Sequence, residues 1–112
     1  MNALDFDFVV KNRIALIEKI LVAKQAEYAP DGGDRLHNFN RAASMLGCSR
    51  ERALVGMWTK HIISILDIVD GLSPTSPVSI ILVEEKIGDA INYLILLEAM
   101  LKERYENTKD DF

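Results

Sequence analysis

The chain has 112 residues, of which 49% are hydrophobic and 27% charged, with a formal net charge of −4; this is the composition of a single globular domain, residues 1–112, large enough to build a core without disulfide or metal staples. The acidic balance argues against bulk binding of duplex nucleic acid, which needs a basic face to displace counterions. A single cysteine, Cys48, rules out an intrachain disulfide, and neither the N-terminal residues nor any apolar run has the pattern of a signal peptide or a bilayer span, so a cytoplasmic protein with no membrane partner is expected.

Phe6, Val9, Val10, Ile14, Ile17 and Leu21 recur near helical spacing. They predict one long amphipathic helix over about residues 5–28, ended by Pro30. The loop Ala29-Pro30-Asp31-Gly32-Gly33-Asp34 follows, with Asp34 as the expected N-cap of a second helix over about residues 35–46. Phe39, Ala42, Ala43 and Leu46 form its apolar stripe, and Gly47 supplies a left-handed stop. Ser49 is placed to cap a third helix, about 50–70, whose apolar side is Leu54, Met57, Trp58, Ile62, Ile65, Leu66 and Val69. A linker with two prolines, Leu72 to Pro77, leads to a fourth helix over about 77–106, with Ser76 as N-cap and Pro77 in the first helical position. Few prolines, no repeat and four helices with short connections predict an all-α four-helix bundle. The fourth helix is apolar on more than one face, at Ile80-Ile81-Leu82-Val83 and again at Leu94 to Leu97. That predicts a homo-oligomer, a dimer or larger, with the fourth or first helix in the interface.

Against this apolar background four polar groups recur: Lys24/Glu27/Tyr28; Asp34/Arg35/His37/Asn38; Lys60/His61/Ser64/Asp67; and Glu85/Lys86/Asp89/Asn92/Tyr93. Glu85, Asp89 and Asn92 fall at i, i+4 and i+7, on one face of a helix. A polar stripe among Ile87, Ile91, Leu94 and Leu97 is costly to bury unless a partner helix, a metal or a ligand satisfies it. Taken singly, each such residue is more often solvated or structurally paired than functional. Four groups on four segments of one small bundle can instead converge on an interior site. Anion binding with a metal is the chemistry that fits. Glu27, Asp67, Glu85 and Asp89 are candidate Mg²⁺ ligands, since that ion takes oxygen donors and accompanies phosphates. Lys24, Lys60, Lys86 and Arg35 would neutralise phosphate oxygens, and the glycine loop would offer backbone N–H groups. Tyr28, His37, Tyr93 or Trp58 would stack on a base. The expected ligand is therefore a phosphorylated nucleotide or another phosphorylated small molecule. No Walker loop, dinucleotide fingerprint, zinc spacing or nucleophile elbow is present, and His61 with Ser64 is a weak hydrolase dyad.

The ordered motifs Lys24-x-x-Glu27-Tyr28, Asp34-Arg35-Leu36-His37-Asn38-Phe39, Gly56-Met57-x-x-Lys60-His61-x-x-Ser64 and Glu85-Lys86-x-x-Asp89-x-x-Asn92-Tyr93 cover nearly the whole chain. In them it resembles the small phage and prophage proteins of the MazG-like, all-α nucleotide-associated type. The resemblance implies an oligomeric helical fold with a nucleotide site between helices, and host cytoplasm as the location of a phage-encoded member. It also implies Mg²⁺-dependent hydrolysis of a nucleoside triphosphate to monophosphate and pyrophosphate, with Glu27, Glu85 and Asp89 as catalytic carboxylates. Lys24, Tyr28, Arg35, His37, Asn38, Lys60, His61, Ser64, Lys86, Asn92 and Tyr93 would then contact substrate. The enzyme pattern places paired acids where this chain has Lys24 and Lys86. Lysine there repels a cation and attracts phosphate, so a non-catalytic binder that sequesters a signalling nucleotide is the alternative to an enzyme. A helical interaction module, its polar stripes acting as bridges between subunits, is the third reading.

Overall fold

Asn2 starts the first helix. Its side-chain oxygen accepts from the Asp5 backbone N–H at 2.8 Å, capping α1, Ala3–Ile17. The structure, a computed structural model, describes residues 1–23 and 33–109. Over these the chain is all α, with four α-helices and no strand, and none of the helices is long and apolar enough to cross a membrane. The chain divides into two units, Met1–Arg35 and Leu36–Phe112.

In the first unit α1 passes directly into a π-helical turn, Glu18–Val22. The predicted helix is thus interrupted by a wider turn that nothing in its apolar spacing signals. Lys11 and Asp7 pair at 2.8 Å, one turn apart on the exposed surface. The predicted stripe of α1 is present as a pattern but not as a core: no residue of α1 is buried, and Phe6, Val9 and Ile14 are exposed. The remainder of the predicted helix, from Lys24 on, lies outside the described residues.

The second unit holds α2 (His37–Leu46), α3 (Arg50–Asp70) and α4 (Ile80–Thr108). Leu36, Phe39, Leu54 and Met100 form its core, with Met57, Trp58, Tyr93, Leu96 and Leu97 packed against them. Two predicted caps are corrected here. Asp34 does not cap α2. The helix begins on Leu36, whose carbonyl accepts from the Phe39 and Asn40 N–H groups at 3.1 and 3.0 Å. Leu36 is buried, and burying a leucine is worth about 1.5–3 kcal/mol against about 1 kcal/mol for a side-chain cap; core packing therefore sets the start. Starting there shifts the buried stripe to Leu36–Phe39–Ala43, and Leu46, predicted inside, is 68% exposed.

Nor does Ser76 cap α4. Its backbone N–H goes to the Ser73 hydroxyl at 3.0 Å, within a local turn. Pro77 extends the chain, and Ser79 becomes the cap by accepting from the Leu82 N–H at 3.3 Å. The predicted end of α2 and start of α3 hold. Gly47 ends α2 at φ 67°, in the left-handed region where a Cβ is penalised. Ser49 accepts from the Arg52 N–H at 3.1 Å at the start of α3.

At one end of the antiparallel α3–α4 pair a charged clamp fixes the register. Arg50 donates to the Glu103 carboxylate at 3.0 Å and to the Met100 carbonyl at 3.2 Å. Arg104 donates two bonds to Glu51, at 3.0 and 2.9 Å. This is the planar two-point geometry that suits guanidinium to carboxylate.

Candidate functional site

The clamp sets which residues of α3 and α4 face each other, and the facing residues at mid-helix are polar. His61 Nδ1 lies 3.7 Å from Asp89 Oδ2. The His61 ring leans on Tyr93 with centroids 4.7 Å apart, and Tyr93 meets Phe39 edge-on at 5.8 Å. Tyr93 is thereby part of the core wall, and it positions His61 beside the carboxylate.

Further toward the α4 N-terminus the seam opens into a groove of about 350 Å³ lined by Ser64, Asp67, Ile68, Leu82 and Lys86. Lys86 is 29% exposed, and its ammonium approaches Glu85 only to 3.8 Å. A partly desolvated ammonium with so loose a partner favours an anion in the groove. Ser64 donates its hydroxyl to the Lys60 carbonyl at 3.1 Å. It is therefore turned back on its own helix rather than toward His61, and its lone pairs alone remain for a ligand.

Asn92 is 8% exposed, and its Oδ1 is buried without a hydrogen-bond partner among the described residues, as is the Nε1 of Trp58. Each such atom costs about 1–3 kcal/mol if left dry. The indole ring packs against the core, so its face is used and the N–H is what remains. That differs from the stacking role its sequence position suggests.

The remaining predicted residues are distributed as follows. Lys60, His61, Ser64, Asp67, Glu85, Lys86, Asp89, Asn92 and Tyr93 all belong to α3 or α4, with Lys60 and Glu85 on the exposed side of the seam. His37 lines a different groove, about 450 Å³, with Asn40, Arg41, Ser44 and Met45 of α2; Asn38 is exposed beside it. Arg35 belongs to the first unit. Lys24, Glu27 and Tyr28 lie outside the described residues. Among the described residues no three His, Cys, Asp or Glu side chains stand close enough together to hold a metal ion. Asp67, Glu85 and Asp89 thus do not by themselves form a Mg²⁺ cage. The Arg50–Glu51–Glu103–Arg104 clamp was not foreseen from sequence, although basic–acidic and acidic–basic neighbours at opposite ends of two long helices are its visible trace.

Comparison with protein-family models, curated proteins and solved structures finds no match for this chain. The functional reading therefore stands on the residues and their geometry.

Proposed function

We propose that this chain is a MazG-like, four-helix protein that binds a phosphorylated nucleotide in the α3–α4 seam and works as a homo-oligomer. The observation that carries the binding reading is Lys86. It stands in an open groove beside Ser64 and Asp67, held by no carboxylate closer than 3.8 Å among the described residues, with His61 and Asp89 further along the same seam. A phosphate in the groove would compensate the ammonium, and His61 would add a second donor when protonated.

Binding without turnover is the form this geometry supports best, because Lys86 puts positive charge where the hydrolases of the resembled family carry an acid. Sequestration of a nucleotide is the corresponding role. Hydrolysis with Mg²⁺ is the second reading. It is favoured by Asp67 in the groove and by Asp89 about one turn from Lys86, and it calls on Glu27 and Glu85 as well. Calorimetry with nucleoside mono-, tri- and cyclic phosphates, with and without chelator, separates them. Binding that survives chelation supports the first. Release of monophosphate and pyrophosphate in Mg²⁺ or Mn²⁺ establishes the second, and no binding at all removes both.

Oligomerisation is supported by the exposed apolar residues of α4, among them Ile80, Ile81, Leu94 and Leu101. Light scattering showing only monomer at micromolar concentration would dismiss it.

A further inference from the structure

The groove at Lys86 does not end at Leu82. A second hollow, of about 210 Å³, continues from it toward the linker between α3 and α4, and the two share Asp67, Ile68 and Leu82 as walls. The sequence makes this continuity regular. Along α3 and its C-cap, Ser64, Asp67 with Ile68, and Gly71 follow at i, i+3 or i+4, and i+7. From the N-cap of α4, Ser79, Leu82 with Val83, and Lys86 do the same. Two like-spaced stripes on antiparallel helices therefore line one trough, about 10 Å long. Its chemistry is sorted by position. Lys86 and Ser64 stand at one end only. Leu72, Pro77 and Val78 close the other. Asp67 is the one carboxylate of the lining, and it belongs to both sections.

Resting on the nucleotide reading above, we infer that the trough holds a ribonucleoside phosphate lengthwise, with its phosphate at Lys86, its sugar hydroxyls on Asp67 and its base in the apolar hollow. The order cation, acid, apolar wall along the trough is the order anion, hydroxyls, planar ring along such a ligand. Asp67 decides between this ligand and simpler anions. Phosphate or pyrophosphate at Lys86 leaves the hollow empty and sets a second negative charge against the carboxylate with no donor between them. An acyl chain ending in a carboxylate fills the hollow and also brings Asp67 no donor. The vicinal hydroxyls of a ribose donate to a carboxylate, and such charge-assisted bonds are the stronger kind. A base then covers Leu72, Val78 and Leu82, which are exposed in the free chain, and gains their burial.

The full chain is titrated, in ¹H–¹⁵N spectra, with the four ribonucleoside 5′-monophosphates, the 2′,3′-dideoxy analogue of the tightest of them, ribose 5-phosphate and inorganic pyrophosphate. At least one nucleotide is expected to shift the amides of Gly71, Val78, Ser79 and Val83 together with those around Lys86, while pyrophosphate and ribose 5-phosphate leave the first set in place. The dideoxy analogue is expected to bind about tenfold more weakly than its parent, and Asp67→Ala to erase that difference. Val78→Trp fills the hollow from an exposed position; it is expected to weaken the nucleotide about tenfold and to leave ribose 5-phosphate unaffected. A nucleotide that shifts the amides around Lys86 but not those of Gly71, Val78, Ser79 and Val83 overturns the lengthwise placement while sparing the nucleotide reading. A dideoxy analogue that binds the unaltered chain as tightly as its parent does the same. If no probe shifts any resonance, both fall.

Discussion

The two ends of the α3–α4 pair carry similar side chains and use them differently. Where α3 begins and α4 finishes, Leu54 and Met100 are fully buried, and two arginines reach across to carboxylates at 2.9–3.0 Å. Where α3 finishes and α4 begins, Leu66, Val69 and Leu82 are exposed, and among the described residues the nearest carboxylate to Lys86 is at 3.8 Å. Asn92 of α4 is buried, its Oδ1 without a hydrogen-bond partner among the described residues. One end satisfies its groups internally. The other, among the described residues, pairs them only loosely. On the binding proposal, stability concentrated at one end would leave the other free to carry groups that contribute little to folding.

The largest effect that tests this contrast is in the core. Leu54→Ala is expected to lose about 2–5 kcal/mol of unfolding free energy, because a fully buried leucine leaves a cavity. Leu82→Ala, at the open end and 41% exposed, is expected to lose less than about 1 kcal/mol. Urea denaturation followed by circular dichroism measures both, and equal losses would break the comparison.

Next in size is an exchange of phenotypes. On the nucleotide proposal, Lys86→Gln should weaken nucleotide binding about tenfold or more with little change in urea midpoint, since among the described residues its ammonium has no carboxylate closer than 3.8 Å to lose. Arg104→Gln should lower the midpoint and leave nucleotide affinity alone. If Lys86→Gln destabilises the fold as much as Arg104→Gln does, Lys86 is a structural residue and the open end is not a site.

How much of this was legible in the sequence follows from what each signal depends on. Helical class and the extent of α3 were readable because apolar spacing, Ser49 and Gly47 act locally. The polar stripes of α3 and α4 were readable for the same reason, and they meet in part, at His61, Asp89 and Tyr93 and in the groove of Ser64, Asp67 and Lys86. The starts of α2 and α4 were not readable. Each had a local cap signal, Asp34 or Ser76, that was overridden, by tertiary burial of Leu36 in one case and by the Ser73–Ser76 turn ahead of Pro77 in the other. Convergence was also beyond reach. Periodicity places His37 and Asn38 on a helix, but only packing shows that His37 lines a groove of α2 rather than the one holding Lys86. The leftover hydrogen-bonding atoms of Asn92 and Trp58 belong to the same class, because satisfaction is a property of neighbours.

The cap of α4 gives a smaller test at the open end. Ser79→Ala should cost about 1 kcal/mol, the usual value of an N-cap hydroxyl. Ser76→Ala should cost less, since the Ser73 hydroxyl still receives the residue 76 N–H. Thermal melts of the two variants decide it, and the opposite order would restore the start that Ser76 and Pro77 predict.

The smallest effect belongs to the clamp at the closed end and shows in its pH dependence. The Glu51 carboxyl is held below its ordinary value of 4.5, chiefly by the hydrogen bonds from Arg104 and against the desolvation that burial imposes. A carboxyl whose pKa is depressed on folding adds stability that is full above its unfolded value and is lost as pH falls through its folded value. Wild type should therefore lose an increment of melting temperature below about pH 4.5 that Glu51→Gln never had, so that the two curves lie apart near neutrality and converge in acid. Glu98 is also lowered, by its hydrogen bond from Lys102, but that pair is one turn apart on the exposed surface of α4. Solvent screens such pairs to near nothing, so Glu98→Gln should track wild type at every pH. If instead Glu98→Gln converges with wild type in acid as Glu51→Gln does, the clamp holds no advantage over an ordinary surface pair and the closed end owes its stability to Leu54 and Met100 alone.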